Sequence, residues 1–211
     1  MTHPLPIFPL PNVLLYPGAV LPLHIFEPRF VSMIDDMLAA DSDEFLLTLL
    51  KGDWELSYFE ANPEIYDIGG LARVLQCSKD DSGSFNLLVS GCERVRLTEV
   101  DSSDKEYRLA NYKILTETPI QDPEVSEKLR LALRDGLVDF ADGSLMLAPK
   151  AKVGYLSDVL TVAMSLDMAE KQKIFEILDQ EWRATAVLSH LNEHLDTRQN
   201  FSGEQGDPDL N

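Results

Sequence analysis

The sequence predicts an α+β protein, with a rolled sheet or small β-barrel in its first half and helices in its second. Up to about residue 116, short segments rich in Val, Leu, Ile, Tyr and Phe are separated by Pro-Gly, Gly-Gly and Asp-Ser-Gly turns. This pattern is typical of antiparallel strands. After Thr118 and Pro119 the apolar residues recur at helical spacing instead. Many short strands joined by hairpins favour a barrel or rolled sheet.

Seven strands are predicted in the first half. The clearest hairpin joins residues 71–78 to 85–96 around the turn Asp80-Asp81-Ser82-Gly83. Prolines crowd the first 22 residues, and since Pro cannot donate to a sheet ladder, this stretch is expected to form edge strands or extended loop. The predicted strands cover residues 5–10, 20–26, 44–50, 56–60, 65–78, 85–98 and 107–115.

One helix is predicted to interrupt the strands, at residues 27–40, with Pro28 in its first turn. Its apolar side chains recur at helical spacing and form one stripe. The stripe consists of Phe30, Met33, Ile34, Met37 and Leu38. Two interpretations of it are open. Either the stripe plugs the barrel, or Phe30, Met33 and Met37 form a partly exposed, adaptable surface for unfolded segments.

Four further helices are predicted, at residues 123–140, 154–165, 168–178 and 180–195. Residues 167–170 resemble a capping box at the start of the third helix, and Asp179 can cap the fourth. Residues 197–211 are polar and Gly-rich and are expected to form a disordered tail. The predicted organisation is therefore a β-barrel subdomain at 1–118, a helical subdomain at 119–196 and the tail.

The chain is strongly acidic, with a formal net charge of -18 at pH 7. Residues 1–118 hold 9 Lys and Arg against 19 Asp and Glu, and residues 119–211 hold 9 against 17. Because neither half offers a basic surface, binding to nucleic acid or to an anionic membrane is disfavoured. Acidity of this kind most often serves solubility and less often steers a basic partner.

The N-terminal residues have neither a basic segment nor an uninterrupted apolar core, so they do not resemble a signal peptide. A cytoplasmic location is expected, with both cysteines reduced. If the hairpin turns near residues 82–83, the predicted strand pairing places Cys77 approximately opposite Leu88. Cys92 then lies opposite about Arg73, so no disulfide between the cysteines is expected.

The sequence contains neither a phosphate-binding loop, G-x-x-x-x-G-K-[ST], nor a G-x-S-x-G nucleophile elbow. Residues 190–194, His-Leu-Asn-Glu-His, match the H-x-x-E-H zinc pattern. A catalytic zinc needs a third protein ligand, and only the presumed tail follows, so the two histidines are interpreted as part of a last helical turn. No catalytic residue, metal or cofactor is predicted.

Three segments carry a family resemblance. Residues 5–30 read LPIFPLPNVLLYPGAVLPLHIFEPRF, and residues 64–76, EIYDIGGLARVLQ, form a glycine turn that leads into LLVSGCERVR at 87–96. The third segment is KQKIFEILD at 171–179. In this order they resemble the Lon protease N-terminal domain over about residues 5–195, and the HIFEPRF ending of the first segment is similar to the free-standing bacterial branch of that family.

The resemblance implies a PUA-like rolled β-barrel with one inserted helix, followed by a C-terminal helical bundle. In full-length Lon this region recognises substrates and helps assembly, while separate downstream modules carry the ATPase and protease activities. The resemblance therefore implies a non-catalytic polypeptide-binding or adaptor module. Its expected partners are unfolded or client polypeptides and a protease or chaperone system.

The expected binding site lies beside the inserted helix and comprises Glu27, Arg29, Phe30, Met33 and Met37. Glu27 is placed to meet the positive end of the helix dipole. Arg29 is placed to pair with a loop carboxylate or carbonyl. The methionines belong to this site only if the stripe is exposed.

Two other functions are open. PUA-like folds elsewhere bind RNA, although the charge of -18 opposes this and analogy of fold is weak support. An enzyme of unknown type on the same barrel would need a pocket, for which Trp54, Tyr58 and Tyr66 are candidates. Aromatic residues in strands, however, usually pack or pair with one another.

Purified protein incubated with ATP and casein is expected to leave both intact, because the sequence has neither a phosphate-binding loop nor an activated nucleophile. Release of inorganic phosphate and electrophoresis of the casein measure the two activities. Turnover that persists through further purification would contradict the prediction.

Overall fold

The computed structural model describes residues 3–52, 54–58, 63–140, 148 and 150–203 of the chain. The chain forms two compact units, Met1–Thr116 and Glu117–Asn211, which divide close to the boundary predicted after residue 118. The fold is mixed α+β, as predicted, with the sheet in the first unit.

The first unit is built on a sheet that closes on itself. Its described elements are β1 (Leu5–Leu10), β2 (Val20–Ile25), α1 (Pro28–Ala39), β3 (Glu44–Leu49), α2 (Trp54–Ser57), β4 (Ile68–Lys79), β5 (Phe85–Val100) and β6 (Leu109–Ile114). The strands lie in the order β2-β5-β4-β3-β1-β6, and β6 also pairs with β5. Closure is possible because β5 is 16 residues long, so that residues 85–90 pair with β2 and residues 95–100 with β6. That the closed sheet is of the PUA type stays a prediction.

α1 lies on the crossover between two parallel strands. β1 and β3 run parallel, with Ile7 opposite Leu46. Parallel neighbours need a long connection, which β2 and α1 supply in this chain. The connection returns the chain to the sheet and presents the apolar stripe of α1 to it.

Four of the five stripe residues of α1 are buried in the core of the first unit, whereas Leu38 is 53% exposed. Phe30, Met33 and Met37 are 3%, 0% and 5% exposed. Phe30 meets Phe8 edge to face, with ring centroids 4.6 Å apart. The interpretation in which the methionines form an exposed surface is therefore wrong, because the inner face of the sheet offers the apolar surface that an amphipathic helix buries.

Two glycines let the loop of residues 11–19 lie directly on the sheet. A side chain at Gly70 would strike the carbonyl oxygen of Leu15, and a side chain at Gly91 would strike that of Tyr16. The close approach buries the side chains of Leu15 and Tyr16. The loop is therefore held against the sheet along its middle.

The prediction of a strand at residues 56–60 is wrong for residues 56 and 57. These two residues belong to the single helical turn α2 instead. Residues 59–62 lie outside the described part. Periodicity over so few residues cannot distinguish a strand from a turn of helix.

The hairpin register differs from the prediction by one residue at Cys77, which pairs with Leu87 rather than Leu88. Two register shifts interrupt the pairing of β4 with β5, and Cys92 lies at one of them rather than opposite Arg73. Such bulges are not visible in hydrophobic periodicity. Both cysteines are free thiols.

The second unit is helical within the described residues. Its helices are α3 (Pro123–Phe140), α4 (Val153–Ala163), α5 (Met168–Phe175) and α6 (Gln180–Gly203). Asp167 caps α5 as predicted, because its carboxylate accepts from the backbone N–H of Glu170 at 2.7 Å. The four helices share one apolar core, which includes Leu133, Leu156, Leu160, Ile174, Val187 and Leu191. No helix in the described ranges is long and apolar enough to cross a membrane.

α6 ends later than predicted. It continues to Gly203, past the predicted end at residue 195, so the first part of the predicted disordered tail is helical. Residues 196–202 contain neither Pro nor Gly, so no local signal stops the helix. The rest of the predicted tail, residues 204–211, lies outside the described part.

A buried charge network joins α6 to the rest of the second unit. Arg183 is 0% exposed. Its Nη2 donates to Glu117 Oε1 at 2.8 Å, and its Nη1 donates to the carbonyl of Ile177 at 2.7 Å. The carboxylate of Asp158 lies 3.3 Å from Nε. A buried guanidinium needs partners of this kind to offset its lost hydration.

Met33→Glu is expected to lower the free energy of unfolding by about 3–5 kcal/mol, because it places a charge in the core. Leu38→Glu is the matched control, since Leu38 lies on the same helix and is 53% exposed. The control is expected to shift the unfolding free energy by less than about 0.5 kcal/mol. Urea denaturation followed by circular dichroism measures both. Equally small effects would contradict the placement of Met33.

Candidate functional site

Glu27 organises a cluster of polar side chains at the start of α1. Its Oε2 accepts from Arg29 Nη2 at 2.9 Å and from Arg29 Nε at 3.1 Å. Its Oε1 accepts from the hydroxyl of Tyr58, which follows α2. Arg29 therefore pairs with its own neighbour Glu27 rather than with a loop carboxylate. The cluster ties α1 to the segment that carries α2.

The local sequence explains the position of Glu27. Glu27 is the N-cap residue, with an extended backbone, and Pro28 begins the helix. Pro has no N–H to satisfy there, and its fixed φ suits the first turn. The Glu27 side chain makes no capping hydrogen bond to the backbone. Its carboxylate is thus available to Arg29 and Tyr58.

The aromatic rings beside Arg29 hold its guanidinium in place. Arg29 Cζ lies 4.5 Å from the centroid of Phe30 and 5.0 Å from that of Tyr58. Such contacts are favourable cation–π interactions. The side chains of Arg29 and Glu27 remain 26% and 27% exposed. The ion pair is therefore half-buried and held from several sides.

Tyr58 stays protonated over a wider pH range than a free tyrosine. Burial is the first cause that raises the pKa of its phenol, followed by its hydrogen bond to Glu27 and the charge of that carboxylate. The neutral phenol is the form that can donate to Glu27. Tyr58 therefore keeps its donor hydrogen at neutral pH.

An aromatic groove opens beside this cluster. The cavity has a volume of about 450 Å³ and is lined by Pro11, Phe26, Glu27, Trp54, Glu55 and Tyr58. We call it the Phe26 groove, because Phe26 is 66% exposed at its edge. The ring of Phe26 stacks on that of His24 with centroids 5.8 Å apart. Trp54 and Tyr58 meet edge to face at 5.7 Å. Its aromatic walls are therefore packed against neighbours before any ligand binds.

The predicted site residues divide into two groups. Glu27 lines the Phe26 groove, and Arg29 contacts Glu27 and Tyr58 beside it. Phe30, Met33 and Met37 are buried, so the structure does not bring them to the surface. A role of Glu27 and Arg29 in polypeptide binding stays a prediction.

Sequence reasoning missed Phe26 and Pro11 as groove residues. The alternation of β2 could have indicated Phe26, because Ile25 is buried and the next side chain points outward. Trp54 and Tyr58, considered for an enzyme pocket, do share this groove. Tyr66 is not among its lining residues; its ring lies 4.9 Å from Lys51 Nζ.

A second cavity, of about 560 Å³, is lined by residues from β1, the start of α1, Pro63, the end of β5 and the loop between β5 and β6. Its cations are already paired, Lys105 with Asp36 at 2.9 Å and Arg108 with Glu99 at 2.5 Å. Burial and a hydrogen bond to Asp36 raise the pKa of Tyr107 to about 12. The cavity therefore supplies neutralised ion pairs and a weakly acidic phenol, which support no catalytic assignment.

Metal binding finds no support in the described part of the chain, where no three His, Cys, Asp or Glu side chains are close enough to hold an ion. In the H-x-x-E-H segment, His190 Nδ1 lies 3.9 Å from Glu193 Oε2. The side chain of His194 is outside the part of the chain that the structure describes.

The first unit is thus a closed sheet with a groove at its surface, and the second unit is helical. The family described as the ATP-dependent protease La (LON) substrate-binding domain matches residues 4–193. The chain therefore belongs to this family, and the resemblance to the Lon N-terminal domain is confirmed.

Solved structures agree on the fold. The Lon N-terminal domain protein from Xanthomonas campestris aligns with a TM-score of 0.62 and 20% identity, covering 89% of this chain and 98% of that one. The N-terminal domain of the Mycobacterium avium complex Lon protease aligns with a TM-score of 0.64 and 18% identity, covering 91% and 100%. At these identities the likeness shows the fold alone.

Curated relatives are much longer than this chain. The Lon protease of Endomicrobium trichonymphae is 27% identical over 199 residues, which is 90% of this chain and 24% of that protein. The Lon protease of Brevibacillus choshinensis is 28% identical over 197 residues, or 89% and 24%. The chain thus spans about a quarter of the length of these relatives.

Tyr58→Phe is expected to lower the free energy of unfolding by about 1 kcal/mol near neutral pH, because Glu27 loses one donor. A phenol whose pKa is raised on folding stabilises the fold fully below its unfolded pKa of about 10, and this contribution is lost as the pH rises through the folded value. The difference between wild type and variant should therefore shrink in strong alkali.

Urea denaturation at neutral pH and in alkali measures this difference. Tyr155→Phe is the control, because Tyr155 is 48% exposed in α4. A difference that stays constant or grows above the ordinary phenol pKa would contradict the role assigned to the Tyr58 hydroxyl.

Proposed function

We propose that the chain is a non-catalytic polypeptide-binding module that holds exposed apolar segments of client proteins in the Phe26 groove. The observation that carries the proposal is Phe26 itself, an apolar side chain that is 66% exposed beside a cavity walled by Trp54 and Tyr58. Exposed apolar surface rimmed by polar groups is typical of interaction sites. Membership of the Lon substrate-binding domain family supports the same role.

The groove suits a polypeptide ligand because its walls are held in place. Glu27 binds both Arg29 and Tyr58, and the rings of Trp54 and Tyr58 contact each other. Side chains that are already ordered lose little conformational freedom on binding. Trp and Tyr also give large contact area with few rotatable bonds, and they are enriched where binding energy concentrates.

The proposal assigns no chemistry to this chain. Burial is the first cause that raises the pKa of the Cys77 thiol, which makes this thiol a poorer nucleophile near neutral pH. Since the chain matches about a quarter of each Lon relative, we place its clients in a protease or chaperone system whose ATPase and protease belong to other modules. A cytoplasmic location fits the free thiols of Cys77 and Cys92.

RNA binding has less support. The described lining of the Phe26 groove includes the carboxylates of Glu27 and Glu55 and contains no basic side chain. Phosphates would be repelled there, and the chain carries a net charge of -18.

Phe26→Ala is expected to weaken binding of fluorescein-labelled casein, a largely unfolded polypeptide, by about fivefold. The estimate assumes a loss of roughly 1 kcal/mol for an aromatic side chain that is only partly covered. Trp182→Ala is the matched control, because Trp182 is 65% exposed in the other unit. Fluorescence anisotropy gives the dissociation constants, and circular dichroism checks the fold.

Comparison of Phe26→Ala with Trp182→Ala tests whether casein binds in the Phe26 groove. Casein binding that is unchanged by Phe26→Ala, or weakened as much by Trp182→Ala, would show that the groove is not the binding site. Trp54→Ala should weaken casein binding in the same direction as Phe26→Ala, because Trp54 lines the same cavity.

A further inference from the structure

The Phe26 groove combines aromatic walls with acidic side chains. Among the described residues, its lining holds the three aromatic residues Phe26, Trp54 and Tyr58 and the carboxylates of Glu27 and Glu55, without a Lys or Arg. A purely apolar ligand would need the rings alone. Aromatic rings grouped with carboxylates are the arrangement that recognises organic cations.

We propose that the groove selects polypeptide segments in which a Lys or Arg side chain lies next to an apolar residue, and that the cationic group binds among the aromatic rings and carboxylates that line the groove. The inference rests on the proposed function, since it names the class of segment that the same groove binds. The apolar neighbour would cover the exposed face of Phe26, which is 66% exposed in the free protein.

The rings differ in their capacity to receive a cation. Tyr58 already has the guanidinium of Arg29 at 5.0 Å from its centroid. Trp is the best of the aromatic side chains for contact with a cation, and Trp54 is among the residues that line the groove. The Arg29 contacts show the same interaction already in use within the protein.

The carboxylates of Glu27 and Glu55 differ in how far their charge is already balanced by a neighbouring cation. The charge of Glu27 is largely balanced by Arg29, at 2.9 Å. Glu55 is exposed in the first turn of α2, and within the described residues it forms no salt bridge. Glu55 is therefore the carboxylate left to attract the cation. The acidic first half, with 9 basic against 19 acidic residues up to residue 118, acts in the same direction.

A single-tryptophan protein allows a direct test. Trp182→Phe leaves Trp54 as the remaining tryptophan of the two in the chain, and Trp182 lies in the other unit. The fluorescence of Trp54 then reports occupation of the groove. The probes are blocked peptides that contain one Leu followed by Lys, Arg, norleucine or Glu. Norleucine keeps the apolar stem of Lys and removes its charge.

The Lys and Arg peptides are expected to bind about tenfold tighter than the norleucine peptide, and the Glu peptide more weakly than norleucine. Added salt and Glu55→Gln should both reduce the preference for the Lys peptide over the norleucine peptide. Phe26→Ala should weaken all of the peptides.

The outcomes separate this inference from the proposed function. Equal affinity for the Lys and norleucine peptides, with both lost in Phe26→Ala, would overturn the cation preference and leave the polypeptide site standing. Failure of every peptide to change Trp54 fluorescence, together with casein binding unaffected by Phe26→Ala, would overturn both.

Discussion

Burial of the α1 stripe against the closed sheet is the contact on which the rest of the first unit depends. Phe30, Met33 and Met37 occupy the core together with residues from β1, β3 and β5. A helix held this firmly has a fixed N-terminus, and the chain just before it must leave the core. Phe26 and Glu27 are therefore kept at the surface by the burial of the residues that follow them.

The ion pair at the start of α1 extends this order to the groove. Glu27 accepts from Arg29 and from Tyr58, and Arg29 lies over the rings of Phe30 and Tyr58. The core residue Phe30 thus supports the guanidinium that supports Glu27. Since the pair is half-buried, its net effect on stability is modest. Its larger effect is to fix the positions of side chains that line a binding surface.

The acidity of the chain has a local meaning in this groove. The formal charge of -18 is spread over both halves of the chain. Where two carboxylates lie beside three aromatic rings, the same sign of charge favours organic cations. The proposed preference of the groove for Lys and Arg therefore agrees in sign with the net charge of the whole chain.

The sequence by itself determined the α+β class, the change from strands to helices near residue 118, the inserted helix and the family, because these depend on local periodicity and on short motifs. It also predicted Glu27 and Arg29 as binding-site residues, and their role in binding stays a prediction. Only the tertiary structure decided that Met33 and Met37 face the core, since a stripe at helical spacing is the same whether the surface opposite it is protein or a partner. The Phe26 groove likewise exists only once α2 brings Trp54 and Tyr58 beside the end of β2. These segments are distant in the chain, and no local pattern records their contact.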